Sequence, residues 1–364
     1  MKKNYYLMKY KCTLLNRYRV WKRKRTVESN RIMEYPVVIQ MPITHLCNFD
    51  CVMCGMRKMI NRWDFSPEDI RNILSDKLFK EVRYVGINGG EPFLRNDIVE
   101  CTQAVLDMLP QIQEINFISN GYFTDKIKDD LKKIRELCSK KNVRNSISIS
   151  VDGINEMQDF HRGHKDSFIN ADKTISELKN DLNNYADSIN VICTITRYNI
   201  SRINEVELWS KQMGIDVAYN IATENVRIEN EDKVKDFSVF SDEISRMLTE
   251  EFFYKKYSET LSERYFSIYL FLKYKKRFDT CPCMFNQWIT ITPDGELGFC
   301  ATHSKKLGSG IEESSYDIVK RNLNYLDEIK KNYCNRCSHY MYELNDEGLR
   351  LMLEDQYKNT FFKG

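Results

Sequence analysis

The chain has 364 residues, 42% hydrophobic and 29% charged, with a formal net charge of +3. That is enough apolar material for a sizeable core, and the near-neutral charge offers no electrostatic case for nucleic acid as a partner. No run of about 18 apolar residues could cross a membrane, and twelve cysteines without an apolar signal segment at the start fit a reducing, cytoplasmic setting.

Residues 1–36 are rich in Lys, Arg and Tyr, and Leu14, Leu15, Tyr18, Val20 and Trp21 could form a basic amphipathic helix. Such a helix packs on its own domain more often than on a membrane surface. From Val37 short β-rich runs alternate with helical stretches, the pattern of parallel strands joined by crossover helices. Strands are expected near 37–43, 82–88, 114–119, 146–151, 189–196 and 215–221, with helices such as Ser66–Leu78, opened by Ser-Pro-Glu-Asp, and Asp125–Cys138 between them. Six such α/β units are too few for a closed eight-stranded barrel, and chemistry is expected on the loops that follow the parallel strands. The expected organisation is a basic segment at 1–36, a barrel over 37–222, a polar and then helical linker region at 223–279, and a small C-terminal unit at 280–364.

The loop after the first strand reads Thr44-His45-Leu46-Cys47-Asn48-Phe49-Asp50-Cys51-Val52-Met53-Cys54. Three thiolates this close grip three corners of a cubane iron-sulfur cluster, and no fourth cysteine follows until Cys101, so one iron is left open for another ligand. The second strand runs into Gly89-Gly90-Glu91-Pro92, where two glycines permit close backbone approach and a carboxylate can receive an ammonium. The third ends in Ser119-Asn120-Gly121. The fourth alternates strictly, placing Ser146, Ser148, Ser150 and Asp152 on one face toward the cavity. Asp159-Phe160-His161-Arg162-Gly163 follows, with an arginine fork suited to a carboxylate. His161 is expected to be solvated. Thr194 and Thr196 are expected to face the cavity, with Cys193 pointing the other way; Cys101, Cys138 and Cys193 read as core residues.

Taken in this order, these motifs resemble the radical S-adenosylmethionine (SAM) superfamily. The resemblance implies a partial (β/α)6 TIM-like barrel with a 4Fe-4S cluster on Cys47, Cys51 and Cys54. SAM would lie against Met53, Gly89, Gly90, Glu91, Pro92, Ser119, Asn120, Ser150, Asp152 and Arg162. In that family an electron from the cluster cleaves SAM, and the 5′-deoxyadenosyl radical takes hydrogen from the substrate.

The tail holds Cys281-Pro282-Cys283, a hairpin turning at Pro293-Asp294-Gly295 and returning to Cys300, and a Cys334-Asn335-Arg336-Cys337 knuckle. Five sulfurs are available for four positions, suiting a 4Fe-4S cluster or zinc. Cys283, Cys300, Cys334 and Cys337 form the expected set, with Cys281 as spare or replacement. The spacing to Gly295 and Cys300 resembles the SPASM/Twitch extension of the same superfamily and implies one auxiliary 4Fe-4S cluster.

The implied partners are a peptide or small-molecule substrate and a reductant such as flavodoxin or ferredoxin, and the implied outcomes include peptide modification, dehydrogenation and epimerisation. The short stretch before the first strand is expected to leave no room for a leader-binding domain, and the Gly364 end lacks the glycine pair expected of a molybdenum-cofactor enzyme. A non-catalytic iron-sulfur or zinc protein for electron transfer or sensing is the alternative; it has no use for Glu91 and Arg162.

Overall fold

The computed structural model describes residues 34–339 and 343–362, the last five by backbone alone. The proposed amphipathic helix around Trp21 lies outside them. Six parallel strands, β1 (Val38–Pro42), β2 (Tyr84–Asn88), β3 (Glu114–Ser119), β4 (Arg144–Ser150), β5 (Ser188–Ile195) and β6 (Val217–Ile221), stand side by side in sequence order. Helices connect them, among them Pro67–Leu74, Ile98–Met108, Thr124–Lys140, Ser167–Asn180 and Ile203–Met213. The expected α/β partial barrel is present. The first of these helices begins where the sequence signals it: Ser66 and Asp69 form a reciprocal capping box with Pro at the first turn, satisfying amide donors that a helix start leaves open.

Alternation along the strands separates two environments. Ile39, Met41, Val85, Ile87, Ile115, Phe117, Ile147, Ile149 and Val191 are buried beneath the helices and form the main core, with Cys101 and Cys138 among them. Cys193 packs with Ile195, Val206 and Tyr219 against the helices Glu243–Thr260 and Glu263–Tyr274. Cys101, Cys138 and Cys193, the isolated cysteines among the described residues, are core residues, as expected. The opposite face carries Gln40, Asn88, Asn116, Asn190, Thr194 and Asn220 into a central cavity.

The tail does not stand apart from this sheet. A short β7 (Asp279–Thr280) is followed by β8 (Trp288–Ile291), which pairs in parallel with β1, Val38 opposite Trp288 and Gln40 opposite Thr290. β9 (Leu297–Gly298) then pairs with β8 in antiparallel fashion across the expected turn, where Gly295 has φ +77°. β10 (Glu343–Leu344) pairs with β7. The result is an eight-stranded sheet ordered β6-β5-β4-β3-β2-β1-β8-β9, so the tail hairpin covers the edge of the first strand.

Candidate functional site

A cavity of about 1100 Å³ runs along the inner face of the sheet, from the loops at the C-terminal ends of the strands to Val38, Tyr84 and Glu114 at their beginnings. Cys47, Cys51 and Cys54 line it, together with Met53, Gly89, Gly90, Ser119, Asn120, Ser150 and Arg162. Residues separated by more than a hundred positions in the chain thus converge on one space.

The cysteine loop is held by backbone contacts that explain the glycines beside it. The Gly90 amide donates to Thr44 O and the Glu91 amide to Leu46 O, both at 2.8 Å. A Cβ on Gly90 would stand 2.1 Å from Leu46 O, so a side chain there would push the loop away. His45 is fixed from below by Asp64, through its amide at 2.9 Å and its ring Nδ1 at 2.8 Å.

Glu91 does not lie on the cavity wall. Its carboxylate accepts from Ser119 Oγ at 2.8 Å, the Asn120 amide at 2.7 Å and the Phe93 amide at 3.1 Å. Burial pushes its pKa up to about 7 against these three hydrogen bonds. Glu91 therefore braces the Ser119-Asn120 rim from behind, while Pro92 opens the tight turn Pro92–Leu94. Asn120 reaches on to Asn48 of the cysteine loop, Nδ2 to Oδ1 at 2.8 Å.

Asp152 is fully buried and also absent from the wall, because it is held by Arg162 and His161. Its Oδ2 lies 2.7 Å from Arg162 Nε and 2.9 Å from His161 Nδ1, and Oδ1 accepts the Thr194 amide at 2.6 Å. Burial opposes ionisation, but Arg162 and His161 outweigh it and hold the carboxyl below the usual range. His161 is accordingly not solvated: it is completely buried, with Nε2 2.9 Å from Thr196 Oγ1. That contact also turns Thr196 away from the cavity, while Thr194 lines it as expected. With Nε committed to Asp152, Arg162 presents Nη1 toward Cys51 Sγ at 4.0 Å.

This donor set fits a cluster and SAM. The three thiols face one space, and burial raises the pKa of each, Cys47 and Cys51 to about 12. Such groups become thiolates only when a metal displaces the proton. The backbone of Gly89 and Gly90, the Ser119-Asn120 rim and the Arg162 guanidinium are the polar groups that would meet an amino acid head beside them. A cluster here would be held by Cys47, Cys51 and Cys54.

The tail cysteines converge as a second group beyond the lower wall. Cys281, Cys283 and Cys300 are within hydrogen-bonding reach in that order. Donation from Cys283, with further bonds from Thr302 and His303, lowers Cys300 to about 5 despite burial. Thr302 Oγ1 lies 3.1 Å from Cys300 Sγ and 3.9 Å from Cys337 Sγ. Cys281 is thus inside the group, and Cys334, half-buried, stands at its edge. Buried Arg277, paired with Asp279 through both carboxylate oxygens at 3.0 Å, donates to Cys337 O at 3.3 Å. Among the described residues no three or more His, Cys, Asp or Glu converge on a position for one metal ion.

Several wall residues have no signal in the sequence. Asn225, Arg227, Ile228 and Asn230 come from the polar segment after β6, and Trp288, Ala301 and His339 from the tail. Only Gly55, directly after Cys54, hints at the segment's closeness, since a Cβ there would meet Ile228 O and Glu229 O at 2.2 Å.

A parallel partial barrel whose strand ends present three cysteines, a glycine pair and a braced arginine defines a cluster-dependent enzyme class. Residues 41–208 match the radical SAM superfamily. A GTP 3′,8-cyclase of Sulfurimonas denitrificans is 25% identical over 321 residues, covering 83% of this chain and 90% of that protein. The mycofactocin maturase MftC of Mycolicibacterium smegmatis is 26% identical over 196 residues, 52% of this chain and 46% of the relative. A probable GTP 3′,8-cyclase of Sulfurisphaera tokodaii is 23% identical, and the matched region takes in 53% of its length, about half.

Among solved structures, anSMEcpe with bound AdoMet and Cp18Cys peptide aligns over 89% of this chain and 97% of its own, with TM-score 0.59 and 16% identity. Streptococcus suis SuiB bound to precursor peptide SuiA aligns over 83% and 68%, with TM-score 0.55 and 15% identity. At these identities the likeness is one of fold. No helix among the described residues is long and apolar enough to cross a membrane.

Proposed function

We propose that this chain cleaves SAM reductively and uses the resulting radical to abstract hydrogen from a peptide. The observation that carries the reading is that Cys47, Cys51, Cys54, Gly90, Asn120 and Arg162 line one cavity. A 4Fe-4S cluster on the three cysteines, when bound, supplies the electron for SAM cleavage and an open iron for its amino and carboxylate groups. The chain's own residues bind and aim. Arg162, locked by Asp152, offers its free guanidinium edge to a carboxylate. Glu91 holds Ser119 and Asn120 at the rim, and the apolar helices behind the strands exclude water.

A peptide is the favoured substrate because the lower wall is rich in neutral amides, Gln40, Asn88, Asn116, Asn190 and Asn220, beside the charged Glu114 and Arg264. Asn88 Nδ2 donates to Gln40 at 3.2 Å, Asn116 Nδ2 to Ser146 at 2.9 Å, and Ser148 Oγ to Asn190 at 2.8 Å. Such groups match peptide N–H and C=O groups and leave no buried charge unpaired. The cavity exceeds what one drug-sized ligand ordinarily fills, about 300–1000 Å³, leaving room beside SAM. A nucleotide is the second reading, supported by the cyclase relative that spans most of this chain. The tail cysteines are proposed to hold one auxiliary 4Fe-4S cluster, and a small reduced electron carrier to serve the first.

Anaerobic reconstitution with iron and sulfide, then SAM and dithionite, should yield 5′-deoxyadenosine, and Cys51→Ala should abolish it. A fully iron-loaded protein that leaves SAM intact overturns the proposal. Deuterium transfer into 5′-deoxyadenosine from labelled peptides, against labelled GTP, separates the two substrates.

A further inference from the structure

The segment Thr223–Lys233 is bonded to both cysteine loops. On one side Asn230 Nδ2 donates to Met53 O at 2.8 Å and Lys233 Nζ to Cys54 O at 2.7 Å. On the other the Val226 amide donates to Thr302 O at 2.9 Å. Thr302 is wedged between the tail sulfurs, its hydroxyl near Cys300 and Cys337 and its amide donating to Cys300 Sγ at 3.4 Å. The two ends are joined within the segment, where Asn230 Oδ1 accepts the Asn225 amide at 2.8 Å and Asn225 Oδ1 accepts the Arg227 amide at 3.0 Å. One run of hydrogen bonds and adjoining backbone therefore leads from Cys300 through Thr302, Val226, Asn225 and Asn230 to Met53, and Asn225 and Asn230 also line the cavity.

We propose that this strap couples the two cysteine sites, with Asn230 as its positioning residue. The arrangement that Cys300 and Cys337 adopt on taking up metal is passed by Thr302 to Val226, and by Asn230 to the Met53-Cys54 end of the first loop. A metal fixes its sulfurs at set distances, so a threonine bonded to two of them must follow. Asn230 is almost wholly buried and bonded at both ends of its amide, so the displacement is transmitted rather than absorbed. The proposal rests on reading Cys47, Cys51 and Cys54 as the cluster-and-SAM site.

Val226→Pro isolates the link. Val226 is the first residue of the turn Val226–Ile228, and Asn225 before it is extended at φ −152°, ψ 103°. Proline is tolerated at such a position and requires an extended predecessor, so the substitution removes the bond to Thr302 and little else. Equilibrium dialysis of the reconstituted full chain should show SAM binding weakened about fivefold by Val226→Pro and about fivefold by Cys300→Ala, the low end of ordinary coupling between sites. Combined, they should weaken it no further, because both cut the same path. Effects that multiply to about twenty-fivefold, or Val226→Pro binding as wild type, overturn the strap. A wild type that binds no SAM instead overturns the function proposed above. The strap is then decided in the metal-free chain by hydrogen exchange of residues 51–55: faster in Val226→Pro supports it, unchanged overturns it.

Discussion

Glu91 and Asp152 are both buried carboxyls, and their neighbours send them in opposite directions. Glu91 has only neutral hydrogen-bond donors in contact, so burial prevails and its pKa rises to about 7. Between the ordinary value of 4.5 and about 7 the folded chain keeps a proton that the unfolded chain has released. Stability of the metal-free protein should therefore fall as pH rises through that window and level off above it. The contribution is roughly 3 kcal/mol at most. Urea midpoints at about pH 5 and about pH 8 should show this fall in wild type and its loss in Glu91→Gln.

Asp152 instead depends on the Arg162 guanidinium. Arg162→Met strands a buried carboxylate, which costs about 3–5 kcal/mol, read as a lower urea midpoint; Arg162→Lys, which keeps the charge, should lose less. The motif around Arg162 was legible in the sequence, but its partner was not. Asp152 and Arg162 lie on different elements, and only the fold shows that the carboxylate serves the arginine and His161 rather than the cavity.

Elements were legible where period decided them. Strict alternation in β4 and the Ser-Pro-Glu-Asp helix start each reported a local physical rule; β4 formed near its expected limits, and the helix began where expected but ended at Leu74, four residues short of Leu78. The segment after β6 was not legible. Its polar residues read as linker because hydrogen-bonding side chains look alike whether they meet water or the backbone of a cysteine loop. The same limit hid the pairing of β8 with β1, since parallel register between distant strands leaves no mark on either. Ile289 is completely buried against that junction. Ile289→Ala should cost about 2–5 kcal/mol, measured as a single urea transition shifted for barrel and tail together. Two separated transitions would mean that the tail folds by itself.

At the scale of the whole molecule, two cysteine groups share one cavity, the first on its wall and the second behind the lower end. Replacing Cys47, Cys51 and Cys54 by Ala should leave about four irons per chain, against about eight in wild type, the count for one cubane against two. Iron and sulfide analysis after anaerobic reconstitution checks it; zinc in place of iron at the remaining site would refute the auxiliary cluster.

Because the tail hairpin supplies the outer neighbour of β1, the first of the described strands must wait for the last fifth or so of translation to be paired on both sides. Until Trp288 emerges, the nascent barrel presents the open edge of β1, whose inner-sheet residues are strongly apolar. Synthesis of this protein is therefore most exposed to aggregation between the completion of β6 and the arrival of the hairpin, and slowing translation within that interval should lower soluble yield more than slowing it anywhere earlier.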